Sequence, residues 1–376
     1  MLKKNTKTIT VLGIETSCDE TAAAVLEVTR GAKPWYRGMR LLSSVVASQV
    51  DVHRKTGGVV PEVAAREHVK AMLPVITAAL QGTGAEYRIQ NVEFRPDAIA
   101  VTYGPGLITA LMVGVETART LAAAWDVPLV GVNHLEGHIA AAVLPQRNSK
   151  YQNPKFKIEF PALALLVSGG HTELILMRNW FSRKIIGATR DDAAGEAFDK
   201  VAKILDLPYP GGPAIEHAAK NGNPKNEPFT APMLNSNDYH FSFSGIKTAV
   251  LYRVRDLTPS TYNLEPQAVA DIAAGFQKAV VDVLVAKTLR AAQEYHAKTI
   301  ILCGGVAANT LLRTQLKNAL AIHSRELRIT NYQLLIPSQE YCTDNAAMIA
   351  AAGALRAVHG KFTPWQKLAA DPTLTL

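Results

Sequence analysis

The chain has 376 residues, 48% of them hydrophobic and 19% charged, with a formal net charge of +8. This is an ordinary globular composition with ample core material and no low-complexity tract, and its basic surplus points to an anionic partner. Cys18, Cys303 and Cys342 are odd in number and form no C-x-x-C pair, which speaks against a disulfide framework or a thiolate zinc site and fits reduced cytosolic thiols.

The N-terminus, residues 1–7, is basic, but Glu15, Asp19 and Glu20 interrupt the apolar run behind it, so it is no signal peptide. The first element is a strand over 9–14. A polar turn, Glu15-Thr16-Ser17-Cys18-Asp19-Glu20, leads to a returning strand over 21–28. Residues 99–102 form the next strand, followed by a Gly104-Pro105-Gly106 turn and a helix to about residue 124. After a polar loop over 148–157 the first plan repeats. A strand over 162–167 meets the turn Ser168-Gly169-Gly170-His171 and returns over 172–177. Small residues at such a turn free backbone N–H groups to face an anion. The 162–167 run is too short to cross a bilayer, so no membrane partner is expected, and with no targeting signal the cytoplasm is the expected location.

Thr189-Arg190-Asp191-Asp192 resembles a capping box for a helix over 193–205, with Ala194, Ala197, Phe198, Val201 and Leu205 on its apolar face. The 207–213 turn ends it, and residues 220–238 read as polar loop. A long amphipathic helix covers 266 to about 296, with Val269, Ile272, Phe276, Val280, Val283 and Leu284 on one side. The second plan also repeats: a strand over 299–302, a Gly304-Gly305 turn, and a helix through Leu311, Leu312 and Leu316. Two units in the same order in each half predict an internal duplication, with two similar lobes facing a cleft. A strand over 332–336 and a helix over 346–355 close the chain.

Within Asn133-His134-Leu135-Glu136-Gly137-His138, the two histidines are four apart. On an α-helix they share a face and can grip one metal ion. H-E-x-x-H needs Glu directly after the first His, and Leu135 stands there, which speaks against a zinc protease. Glu136 should face away from the pair. A third, harder ligand is needed, and Asp344, ahead of the last helix, is the candidate. Asp before a helix ordinarily serves as an N-cap, so both roles stand open for it. Asp19 and Glu20 bring carboxylates to the first turn.

Taken together these segments resemble a known family. They are Gly13 to Thr21, Gly57 to Glu62, Gly104 to Leu107, His134 to His138, Val167 to Thr172, Asp191 to Lys200, Pro210 to Pro213, Phe241 to Lys247, Gly304 to Asn309 and Thr343 to Ala347. The family is that of the universal tRNA threonylcarbamoyl-adenosine transferases, once labelled glycoproteases. The resemblance runs in order from residue 9 to about 355. It implies the duplicated α/β fold of the actin, sugar kinase and Hsp70 ATPase superfamily. Its first lobe would span 1–139, completed by 347–376, and its second 140–346. It implies Fe2+ or Zn2+ held by His134, His138 and Asp344. Leu166, Val167, Ser168, Gly169, Gly170, Asp199, Gly212 and Asn309 would bind an adenylate substrate, and Asp19 and Glu20 match positions needed for activity. The implied partners are tRNA, threonylcarbamoyl-AMP from a separate synthase, a non-catalytic paralogue subunit and a small P-loop ATPase. Departures lie at Ile108 and Thr109, where a glycine is more usual, and in the longer terminus and 148–157 stretch.

Overall fold

A computed structural model describes residues 7–83, 95–145, 157–258, 264–326 and 332–376. The basic terminus and the 148–157 loop lie outside these residues, apart from Lys7 and Lys157. The chain divides into two units, Met1–Lys157 with Pro337–Leu376, and Ile158–Ile336. The breaks fall later and earlier than at 139/140 and 346/347. Val143 and Leu144, just after the helix carrying His134 and His138, are buried, and the segment carrying Asp344 groups with the first unit.

The first unit runs β1 (Thr8–Glu15), β2 (Glu20–Thr29), β3 (Arg40–Ser48), α1 (Val50–Arg54), α2 (Pro61–Gln81), β4 (Ala98–Gly104), α3 (Ile108–Trp125), β5 (Leu129–Asn133) and α4 (His134–Ala141). The second runs β6 (Ala162–Val167), β7 (Thr172–Asn179), β8 (Ser182–Ala188), α5 (Ala194–Ile204), α6 (Gly211–Ala219), α7 (Ser244–Leu257), α8 (Pro266–Glu294), β9 (Thr299–Cys303), α9 (Thr310–Glu326) and β10 (Gln333–Leu335). The helix α10 (Ala346–Val358) and an extended tail then rejoin the first unit.

The sheets are ordered β3-β2-β1-β4-β5 and β10-β9-β6-β7-β8. In the first, β1 pairs antiparallel with β2 and parallel with β4, β2 antiparallel with β3, and β4 parallel with β5. In the second, β6, β7, β8, β9 and β10 take the places of β1 to β5, with the same directions. The expected duplication is therefore present strand for strand. Each half is thus a five-stranded mixed sheet with its own helices, an α/β fold built twice.

Strands β1 and β4 are buried on both faces, which is why they read as nearly continuous apolar runs. Side chains alternate between the faces. Leu12, Ile14, Ile99 and Val101 join Met72, Val75, Ile76 and Val115 in the core under α2 and α3. Gly13 and Ala100 face α10 instead. A Cβ on Gly13 would lie 2.3 Å from the Ala346 carbonyl oxygen, and one on Gly353 would lie 2.2 Å from the Ala100 Cβ. Only glycine permits that approach of helix to sheet. The same alternation carries Glu15 and Thr102 onto the α10 face.

Two local expectations fail. Asp191 and Asp192 do not box the start of α5, whose cap residue, Ala193, makes no side-chain cap bond. Asp191 instead caps α7, accepting from Phe243 N at 2.7 Å and Ser244 N at 3.2 Å, while Asp192 pairs with Lys200 and Lys247. The orphan N–H of Ala194 donates to Thr172 Oγ1 on β7. Long-range partners thus outcompete the local ones. The Gly304-Gly305 turn also passes through a 3-10 turn, Gly305–Ala308, before α9 begins. Among the described residues no helix is long and apolar enough to cross a membrane.

Candidate functional site

Helix α4 starts directly off β5. Asn133 Oδ1 accepts from Leu135 N at 2.8 Å and Glu136 N at 3.4 Å, a cap that fixes the first turn. His134 and His138 then stand one turn apart on one face, with ring centroids 4.7 Å apart. Glu136 turns away and pairs with Arg356, Oε2 to Nη2 2.7 Å, as the spacing requires. The cap role open to Asp344 is taken by its neighbour: Asn345 accepts from Met348 N at 2.9 Å. That leaves the Asp344 carboxylate free to face the histidines. Its Oδ1 lies 3.3 Å from both Nε2 atoms.

These three side chains could hold a metal ion, their ligand atoms all lying within 4.8 Å of one another. Bonds of about 2.0–2.1 Å in a tetrahedron place neighbouring ligands roughly 3.3–3.4 Å apart, which matches the two distances from Asp344 to the histidines. His138 supplies the second sign. Both its ring nitrogens are buried without a hydrogen-bond partner among the described residues. At 3.3 Å Asp344 is near Nε2 but is not aligned as an acceptor, and a lone pair aimed at a cation needs no such alignment. A buried imidazole left wholly unbonded is costly unless something else satisfies it.

Electrostatics separates the two rings. For His134 burial works against the charged form, but the Asp344 and Glu15 carboxylates outweigh it and raise the pKa well above the usual value. For His138 burial prevails and lowers it. Burial likewise opposes ionisation of Asp344, yet its attraction and hydrogen bonding to His134 and His138 hold its carboxyl well below the usual carboxylate range.

The first turn joins this group. Asp19 is buried, and its side chain hydrogen-bonds to Glu20. Burial, then the nearby Asp344 and Asp19, push Glu20 up to about 10. Burial, with Asp19 and Asp344, also pushes the Cys18 thiol up, so it is no nucleophile. The sequence presents Glu15 only as part of this turn, yet it is fully buried and touches His134. The missed signal is its place at the end of a buried strand, where a charge has to be satisfied.

In the second unit Leu166, Val167, Ser168, Gly169 and Gly170 form the end of β6 and the β6–β7 turn, while Asp199, Gly212 and Asn309 lie on α5, on α6 and just ahead of α9. Ser168 N donates to the His171 carbonyl at 2.8 Å, which closes the turn and leaves Gly169 and Gly170 exposed with open space around them. Helix α5 begins against it: a Cβ on Gly195 would lie 2.6 Å from the Ser168 carbonyl oxygen. Gly304, at φ +92°, leaves no room for a Cβ beside the Val167 carbonyl. Asp199 Oδ1 accepts from Gly211 N at 2.7 Å and so anchors the start of α6, where Gly212 has open space beside it. Asn309 is buried. Its Oδ1 accepts from Leu312 N and its Nδ2 donates to Gln277, so its amide is engaged within the fold.

A family model described as tRNA N6-adenosine threonylcarbamoyltransferase matches residues 40–351. Among curated proteins, one of that description from Bacillus subtilis is 47% identical over 349 residues, 93% of this chain and 91% of its own. Another, from Moorella thermoacetica, is 44% identical over 379 residues and covers both chains fully. Among solved structures, HypF of T. kodakarensis superposes with a TM-score of 0.56 at 14% identity, over 96% of this chain and 49% of that one.

Proposed function

The chain belongs to the tRNA N6-adenosine threonylcarbamoyltransferase family, and from that premise we propose the reaction in full. It transfers the threonylcarbamoyl group of threonylcarbamoyl-AMP to N6 of the adenosine 3′ of the anticodon, in tRNAs reading ANN codons. The observation that carries this reading is the convergence of His134, His138 and Asp344 through atoms 3.3 Å apart. A divalent ion held there, Fe2+ or Zn2+, would supply Lewis acidity to the carbamoyl carbonyl.

The remaining roles belong to the chain itself. Gly169 and Gly170 would offer backbone N–H groups to the adenylate phosphate, with Leu166, Val167 and Ser168 setting the turn. Asp199 would accept from a ribose hydroxyl, Gly212 would let the backbone come close to the substrate, and Asn309 would border the base. The N6 amine attacks the carbonyl carbon, the bond to the phosphate oxygen breaks, AMP leaves, and the amine loses one proton. That amine is a weak nucleophile, so positioning and electrophile activation matter more than a strong base. Asp19 and Glu20, the hydrogen-bonded acids of the first turn, would take up or hand on the proton that the transfer releases.

The net charge of +8 supports contact with tRNA phosphates, binding that weakens as salt rises. Val69 and Leu73 on α2, with Ile108 and Met112 on α3, are exposed apolar pairs on two helices of the first unit. They offer a surface for the paralogue subunit, with the P-loop ATPase as the third component and the cytoplasm as the setting. The test is complementation. A bacterium depleted of its own transferase should regain threonylcarbamoyl-adenosine in bulk tRNA on expressing this chain. The Asp344→Ala variant should restore less than about one-hundredth as much. Full restoration by that variant would overturn the metal-centred reading.

A further inference from the structure

The carboxylate of Glu15 is fully buried at the end of β1, and no Lys or Arg is paired with it among the described residues. Three groups surround it. Oε1 accepts from Ser17 N at 2.5 Å; Oε2 accepts from Thr102 Oγ1 at 2.6 Å and lies 3.0 Å from His134 Nδ1. The sheet register explains the meeting. Parallel pairing sets Gly13 beside Ala100 and Ile14 beside Val101, so the next residues along, Glu15 and Thr102, reach the same face together. Ser17 Oγ, 3.1 Å from Nδ1, completes the surroundings of that nitrogen.

We propose that Glu15 is the positioning residue of the metal centre: it accepts from His134 Nδ1–H and so fixes the tautomer whose Nε2 lone pair faces His138 and Asp344. The inference rests on the metal reading above and goes one shell outward from it. A ring with a bare Nδ1 would set its lone pair against the carboxylate oxygen at 3.0 Å, an arrangement that repels. With Nδ1–H toward Glu15, Nε2 is the only nitrogen of that ring left for a cation. A carboxylate behind a histidine both orients the ring and raises its basicity as a ligand. The arrangement is asymmetric, because His138 Nδ1 has no such partner among the described residues. Glu15 therefore orients one of the two imidazoles, and the site leans on that one for its geometry.

The test is Glu15→Gln in the full chain, with Zn2+ alone as the probe. An amide keeps the shape but carries two N–H donors, one of which must face Ser17 N–H or the His134–Thr102 side. Zinc affinity, from competition with a chromophoric chelator, should fall about 10–100-fold. In 15N-histidine NMR of the zinc-loaded wild type, His134 should be the Nδ1–H tautomer, and the variant should lose that signature. Thermal melting monitored by circular dichroism reports whether the variant folds. Thr102→Val provides a second reading: the carboxylate stays but loses one anchor. It should lower zinc affinity severalfold with the His134 tautomer kept. Unchanged affinity and an unchanged His134 tautomer in Glu15→Gln, or unchanged affinity in Thr102→Val, would overturn the proposal while leaving the metal site standing. A wild-type chain that takes up no zinc or ferrous iron would instead remove the metal reading itself, and this one with it.

Discussion

Two carboxylates, Glu15 fully buried and Glu173 half-buried, show how environment assigns a role. Glu15 receives three hydrogen-bond contacts and is tied to His134. Glu173, on β7 beside the exposed glycine turn, has an Oε2 that is buried without a partner among the described residues. Desolvation alone pushes it up to about 7. The folded pKa is thus raised above the unfolded value of 4.5. The native state binds the proton more tightly, so its contribution is complete below pH 4.5 and is lost as pH rises through about 7. Partial exposure discounts the loss to roughly 1–3 kcal/mol. Glu173→Gln should therefore stabilise the chain at pH 8 more than at pH 5, read as the shift in thermal midpoint at each pH. An equal shift at both would contradict the assignment. At this scale spacing makes the histidine pair legible but not the residue that supports it. His134 and His138 announce themselves by spacing, whereas Glu15 acquires its partners only when β1 and β4 align.

The element that matters most is α4, and its first turn is held from two sides. Asn133 Oδ1 caps it, and Asn133 Nδ2 donates to the Thr375 carbonyl at 3.2 Å. The tail that brings Thr375 there is itself fastened. Leu368 is buried near Gly131, Asp371 N donates to the Tyr103 carbonyl at 2.7 Å, and Gly106 N donates to the Pro372 carbonyl at 3.4 Å. Removing residues 369–376 should leave the Asn133 amide free to rotate and loosen the cap. Amide hydrogen exchange at Leu135 and Glu136 should speed up by about tenfold, and zinc affinity should fall severalfold. Unchanged exchange there would show that the tail does not brace the helix. Nothing in residues 359–376 reads as helix or strand, which is why the tail's role was illegible. The capping box failed for a related reason, since Asp191 found the start of α7 some 50 positions away. Helix α8 shows it again. It was expected to be amphipathic, yet it buries Asp271 and Lys287. Asp271 accepts from Asn223 N at 2.7 Å, and Lys287 Nζ donates to Ser236 Oγ at 2.8 Å. These polar residues hold the 220–238 loop, a partnership between segments far apart in sequence.

For the whole molecule, periodicity and glycine placement made the duplicated plan legible, and the two sheets repeat it strand for strand. Each unit then specialises the same hairpin. In the first, the β1–β2 turn is rich in carboxylates and meets the histidines of α4. In the second, the β6–β7 turn keeps bare glycines and no acid. One hairpin suits a cation and its neighbours, the other an anion. The most direct measurement is reconstitution. An unmodified tRNA reading ANN codons would be incubated with the chain, threonylcarbamoyl-AMP and Fe2+ or Zn2+, beside a His134→Ala/His138→Ala control, with partner subunits added in a parallel series. Nucleosides would be resolved by mass spectrometry. The account predicts threonylcarbamoyl-adenosine with the wild type and at least a hundredfold less with the control. Equal product from the control, or none from the wild type even with its partners, would contradict it.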